Sequence, residues 1–241
     1  MTKMSKINVE VKVSKVKEGK TTHIICVLDR SGSMSGLTNE VIKNFNHFLE
    51  VQQGLEGKAK LSLVIFDTEY SVIYDEVDIQ KVKPLTSSVY FARGGTAMND
   101  AIGRILSEKQ NKKKAIVLIH TDGHENASQE FTAKQIKKLV AKLKKKWEFI
   151  FVGAGIDAMT ANQDYGFTHT LNANSNAKSY DNQYDLFNNA TMNYRSAGMA
   201  GAVQTAAFVA EASANEINED RLNEIFNPNK VATTDTIITT K

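Results

Sequence analysis

His23-Ile24-Ile25-Cys26-Val27-Leu28-Asp29-Arg30-Ser31-Gly32-Ser33 is the stretch whose reading decides the fold. Residues 23–28 form an apolar run that reads as a buried strand. Asp29 leaves the end of that strand, and hydroxyls follow at Ser31 and Ser33. Alternate positions on a tight loop can curl their side chains toward one point, as the early ligands of an EF-hand calcium loop do. Gly32 lets the backbone turn sharply between them. One charged and two neutral oxygens suit a hard cation, magnesium first and manganese or calcium after it.

Two further pieces lie far along the chain. Gly94-Gly95-Thr96-Ala97-Met98 places a hydroxyl just before a predicted helix. Ile116-Val117-Leu118-Ile119-His120-Thr121-Asp122-Gly123 places a carboxylate just after another apolar strand. Together, Asp29-x-Ser31-x-Ser33, Thr96 and Thr121-Asp122-Gly123 resemble the metal-ion-dependent adhesion site of von Willebrand factor A (VWA) domains. The resemblance spans about residues 20–155. The three parts stand in family order, each at the expected strand or helix end.

The resemblance implies a three-layer, Rossmann-like α/β fold, with a mostly parallel central sheet, one antiparallel edge strand and helices on both faces. It implies Ser31 and Ser33 as direct metal ligands and Thr96 as a direct or switching one. Asp29 and Asp122 would bind directly or through water. Neutral hydroxyls offset an ion's charge only weakly, so such an ion stays electrophilic at its open position. The carboxylate of a partner's Asp or Glu is the natural last ligand. A site of this kind grips an acidic residue and does no bond chemistry. Integrin-type domains carry acidic residues after the second serine for an adjacent cation. Met34-Ser35-Gly36-Leu37 follows here, so no neighbouring cation site is expected.

The rest of the chain fits that frame from its own patterning. Ile7, Val9, Val11 and Val13 alternate with polar residues as in a half-buried strand within residues 1–20. Leu37, Val41, Ile42, Phe45, Phe48 and Leu49 fall at helical spacing, and Gly54 and Gly57 end that helix. Leu61 to Phe66 reads as a second strand, and Ser71 to Tyr74 as its short antiparallel partner. Helix and strand then alternate through Met98–Leu106, Ala115–Ile119, Phe131–Leu143 and Trp147–Val152. Such alternation predicts a mostly parallel sheet covered on both faces. In open sheets of this kind ligands bind outside the carboxyl ends of strands, where strand order reverses. The loops after Leu28 and Ile119 both lie at such ends.

We place the VWA domain at residues 21–175, a helical extension packed on it at 176–226, and a flexible tail at 227–241. In the extension Tyr180, Tyr184, Phe187, Ala190 and Tyr194 share one helical face, expected to pack against the domain. The lysines from Lys137 to Lys146 accompany an apolar stripe and read as its solvated face.

Composition narrows the function. The 241 residues carry 24% charged and 41% hydrophobic residues, as in soluble globular proteins, and a net charge of +3 is too small to imply nucleic acid or an anionic membrane. Cys26 is the one cysteine, so no internal disulfide can form, which fits a reducing, cytoplasmic compartment in a bacterial or infected host cell. The N-terminus has no signal-peptide pattern, and Ala197 to Ala212 is too polar to span a bilayer. Imidazole suits zinc or copper better than magnesium, so His120 and His124 are expected as bystanders, with Glu125 and Asn126 at the rim. No phosphate-binding loop is present, and Met34 and Ser31 stand where a nucleophile elbow or a dehalogenase-type phosphatase would need a serine and a second acid. The expectation is a non-enzymatic, metal-dependent protein-binding module resembling small stand-alone bacterial and phage VWA proteins. By family analogy an AAA+ ATPase is a candidate partner. The alternative is a structural or assembly protein that binds through its C-terminal extension, the metal serving mainly stability.

Overall fold

Central strand β1 (Thr22–Asp29) is buried on both faces in the computed structural model, which describes residues 21–154, 163–167, 169–173 and 177–197. Ile24, Cys26 and Leu28 enter one core, and Ile25 and Val27 enter the other. That two-sided burial is why the run is continuously apolar instead of alternating. A 3-10 turn (Gly32–Leu37) leads into α1 (Thr38–Gln53), β2 (Ala59–Phe66) and β3 (Tyr70–Asp78). Then come α2 (Met98–Lys109), β4 (Ala115–Thr121), α3 (Ala133–Leu143), β5 (Trp147–Ala154), β6 (His169–Ala173) and α4 (Ala177–Ala197).

The six strands lie in the order β3-β2-β1-β4-β5-β6. All neighbours are parallel except β3, which runs antiparallel to β2 at one edge. The chain works outward from β1 in one direction, then crosses back to β4 on its other side. The sequence order therefore reverses between β1 and β4, at the predicted crevice. On one face of the sheet, Phe45, Phe48 and Leu49 of α1 pack with Tyr184, Phe187 and Tyr194 of α4. On the other, Ile102, Ile105 and Leu106 of α2 pack with Ile136, Val140 and Leu143 of α3. The result is the expected three-layer α/β fold.

Several local features differ from expectation. β3 has nine residues, not four, because hydrogen bonding to β2 continues past register shifts near Leu63 and Val64. Those shifts break the alternation a sequence pattern would reveal. β4 runs on to Thr121, so His120 and Thr121 are buried strand residues. α3 opens later than expected, on a capping box between Thr132 and Gln135, but buries Ile136, Val140 and Leu143 and leaves Lys137, Lys138 and Lys142 on its solvent side as expected.

The described aromatic side chains of α4 are spent within the chain. Phe187 stacks on Phe48 with ring centroids 4.5 Å apart, and Tyr184 meets His120 edge-on at 5.5 Å. The Tyr194 hydroxyl donates to the Lys146 carbonyl at 2.8 Å. Beside this apolar contact, Arg195 donates to the carbonyls of Gln52 at 2.6 Å and Gly57 at 3.0 Å, which places a cation at the C-terminus of α1. The Tyr180 side chain, the expected strand in residues 1–20, the extension beyond residue 197 and the tail lie outside the described residues.

Candidate metal centre

The parallel register sets Leu28 of β1 beside His120 of β4, so Asp29 and Thr121 leave the sheet side by side. The Asp29 carboxylate is fully buried and takes two donors, the Ser31 backbone N–H at 2.6 Å and the Thr121 hydroxyl at 2.5 Å. The first bond closes a tight turn across Arg30 and turns Ser31 back toward the strand end. Tyr90, also fully buried, donates its hydroxyl to the Asp29 carbonyl and fixes the base of the loop.

The remaining oxygens gather above that carboxylate. Ser31 Oγ and Ser33 Oγ lie 3.1 Å apart, and Ser33 Oγ donates to Asp122 Oδ1 at 2.6 Å. Thr96 arrives from a third loop. A Cβ placed on Gly123 would lie 2.8 Å from Thr96 Oγ1 and 3.4 Å from Ser33 Oγ. Thr96 Oγ1 and Ser33 Oγ thus border the same gap beside Gly123, and the five sequence-predicted residues lie on the three loops around it. Asp29, Ser31 and Thr96 are buried at the base, Asp122 is half-buried and Ser33 is exposed at the mouth.

Backbone bonds lock the three loops to one another. Gly32 N donates to the Gly94 carbonyl at 3.0 Å, and Arg93 N donates to the Arg30 carbonyl at 2.8 Å. Asn126 N and Ala127 N both donate to the Thr96 carbonyl, at 3.1 and 3.2 Å. Such cross-bracing fixes the three loops relative to one another, as a preformed site requires.

The electrostatics favour a cation. Burial pushes the Asp29 carboxyl up from 3.8 to about 6, against the opposing bonds from Thr121 and Ser31, and Asp122 adds to the rise. Burial likewise raises Asp122, against its bond from Ser33. Two carboxylates that resist ionisation because they share a poorly solvated place would both be relieved by positive charge. Among the described residues no three His, Cys, Asp or Glu side chains gather. The donor set is instead two carboxylates with three hydroxyls, all oxygen, which fits magnesium, manganese or calcium and not zinc or copper.

The expected rim residues have other work. Glu125 accepts from the backbone of Asn99 at 2.7 Å and Ser128 at 2.8 Å, while Asn126 accepts from Thr96 N at 2.9 Å. They brace the loop before α2. Thr96 itself does not cap α2, whose N-cap is Ala97 without a side-chain bond. His120 is buried beneath α4 with Nδ1 3.1 Å from the Tyr184 hydroxyl, and burial lowers it to about 3. His124 is exposed.

Sequence reasoning quoted Thr121 in its motif but gave it no role, and it missed Tyr90 and a cluster around Asp67. Asp67, buried at the end of β2, lies 2.8 Å from Arg30 Nε and accepts from Arg93 Nε at 2.7 Å. Burial alone would raise Asp67, but these contacts and the Glu69 N–H hold it below its ordinary range. The signal for Asp67 was available, since an acid directly follows the Leu61–Phe66 run just as Asp29 follows its own.

The described helices include none long and apolar enough to cross a membrane. The fold is similar to a von Willebrand factor type A protein from Catenulispora acidiphila (TM-score 0.51, 14% identity, covering 73% of this chain and 43% of that one). It is also similar to proximal thread matrix protein 1 from the mussel byssus (TM-score 0.52, 16% identity, 70% and 46%). A third similar structure is the ArnB paralog VWA2 from Sulfolobus acidocaldarius (TM-score 0.51, 15% identity, 68% and 44%). The chain spans less than half the length of each. No curated protein matches it. A family profile described as VWA domain containing CoxE-like protein matches residues 3–145, more than half of the chain. VWA domains generally serve as protein-interaction or assembly modules. With the sheet order, the layers and this match in agreement, the chain belongs to the family of VWA domain containing CoxE-like proteins.

Proposed function

We propose that the chain is a non-enzymatic protein-binding module whose contact depends on a hard divalent cation, magnesium first. Asp29, Ser31, Ser33, Thr96 and Asp122 would hold the ion, and an Asp or Glu of a partner protein would complete its shell. The ion supplies an electrophilic position for that carboxylate. The chain's own residues do the rest: Thr121 and the Ser31 N–H orient Asp29, Asn126 positions the Thr96 loop, and the exposed Ser33 side leaves the mouth open. The observation that carries the reading is the convergence of five oxygen-bearing side chains from three loops, with both carboxylates raised by burial. An AAA+ ATPase in the cytoplasm is the partner class that family analogy offers.

The rival reading, assembly through the C-terminal extension, loses its most obvious surface. Tyr184, Phe187 and Tyr194 of α4 are buried within the chain. Paramagnetic manganese tests the metal reading directly. In an amide spectrum of the labelled protein it should broaden Ser31, Ser33, Thr96 and Asp122 first, and excess magnesium should restore them. Broadening confined to other residues, or none at millimolar metal, would refute it.

A further inference from the structure

We propose that Phe91 and Arg93 form a specificity rim for this site. The rim selects an acidic peptide segment with an apolar residue next to the carboxylate that reaches the metal. The inference rests on the metal-dependent reading and names the partner chemistry it would take.

Among the described residues only two large hydrophobic side chains are exposed, Val72 at 48% and Phe91 at 43%. Val72 stands on edge strand β3, whereas Phe91 stands on the loop that carries Thr96. Two guanidinium groups approach the Phe91 ring, Arg30 at 5.6 Å and Arg93 at 5.8 Å from its centroid. Both cations are held by buried Asp67, with Nε atoms 2.8 and 2.7 Å from its Oδ2. Cations so placed favour the ring where it stands. The neighbouring Tyr90 is wholly buried and bonded to the Asp29 carbonyl, so Phe91 is the side of this loop left facing solvent.

The rim is also rigidly coupled to the metal centre. Arg30 lies between Asp29 and Ser31 in sequence, and its carbonyl accepts from Arg93 N at 2.8 Å. Gly32 N, between the two serines, donates to the Gly94 carbonyl at 3.0 Å. Phe91 and Arg93 thus belong to the loop bonded directly to the Asp29–Ser33 turn, and a peptide with one carboxylate at the mouth would lay its next residues over them in the proposed mode. The charges complement it. Arg93 is 40% exposed, and its second carboxylate partner, Glu69, is 66% exposed. That bond is solvent-facing and contributes little, so Arg93 can turn to donate to a peptide carbonyl at small cost. The apolar ring would take the adjacent side chain and remove both surfaces from water.

The test uses the labelled full chain in millimolar magnesium and three capped tetrapeptides, Gly-Asp-Leu-Gly, Gly-Asp-Ser-Gly and Gly-Asn-Leu-Gly. Amide shifts report affinity and place. The Asp-Leu peptide should bind about tenfold more tightly than the Asp-Ser peptide. It should move Phe91 and Arg93 together with Ser31 and Ser33, and Asn-Leu should not bind. Phe91→Ser should erase the Asp-Leu advantage, and Phe91→Leu should keep it. Equal affinities for Asp-Leu and Asp-Ser, or an advantage that survives Phe91→Ser, would overturn the rim while leaving the metal reading in place. If neither Asp peptide moves Ser31 and Ser33 in magnesium relative to chelator, the metal-dependent reading falls and takes the rim with it.

Discussion

Replacing Asp29 by Asn separates the cost of the site from its use. The carboxyl is fully buried, and burial holds it at about 6 in the fold against an ordinary 3.8. At ~1.4 kcal/mol per pH unit, that displacement corresponds to ~3 kcal/mol. The folded value lies above the unfolded one, so between them the native state binds more protons than the unfolded chain. Stability contributed by this group is therefore present below 3.8, is lost as pH rises through 6, and stays lost at neutral pH. Asn cannot ionise and keeps the geometry. Its oxygen can accept from Ser31 N, and its amide can donate to Thr121 Oγ1, whose own hydrogen then turns to the Gly123 carbonyl 3.3 Å away. In chelator, urea unfolding across this pH range should show Asp29→Asn gaining on the wild type by ~3 kcal/mol from the acid to the neutral end. Acid titration of His120 is common to both proteins and drops out of the difference. Added magnesium should reverse the order at neutral pH, stabilising the wild type alone. A difference that stays flat with pH, or a variant that magnesium still stabilises, would refute the reasoning.

Thr96→Ala should unfold like the wild type in chelator, since Ala97 and not Thr96 caps α2, yet lose most of the magnesium-dependent rise in melting temperature. Gly123→Ala should destabilise by ~1–3 kcal/mol in urea unfolding and weaken manganese binding, because its Cβ would sit 2.8 Å from Thr96 Oγ1. Arg195→Ala should cost about 2 kcal/mol by the same assay, since it strips charged donors from the carbonyls of Gln52, Leu55, Glu56 and Gly57, and Arg195→Lys should recover only part.

The centre of the fold was legible because its chemistry is local. A two-sided buried strand must be continuously apolar, and a polar loop must follow it, so residues 23–33 announce both the strand and the donors. The same logic reads residues 116–123. What could not be read was pairing across distance. Nothing in the sequence says that Thr121 donates to Asp29, or that Asn126 rather than solvent holds the Thr96 loop. Glu125, three residues after Asp122, reads as a rim residue until the fold brings the Asn99 N–H to it. β3 was cut short because its shifted register and exposed edge blur the period-two pattern. Arg93 and Asp67 lie 26 positions apart and become one cluster only once β2 and the loop before α2 end at the same edge.

The position of β1 has a mechanical consequence. A partner pulling on the Asp29 loop draws β1 along its own axis, between two parallel neighbours bonded in register from Thr22↔Ala59 to Asp29↔Phe66 on one side and from His23↔Ala115 to Leu28↔His120 on the other. Under such traction the two ladders are sheared, and their bonds share the tension and must yield together. An edge strand would instead peel open one bond at a time. On the proposed reading, a partner held at the Asp29 loop would pull on the middle strand, where the fold resists shear.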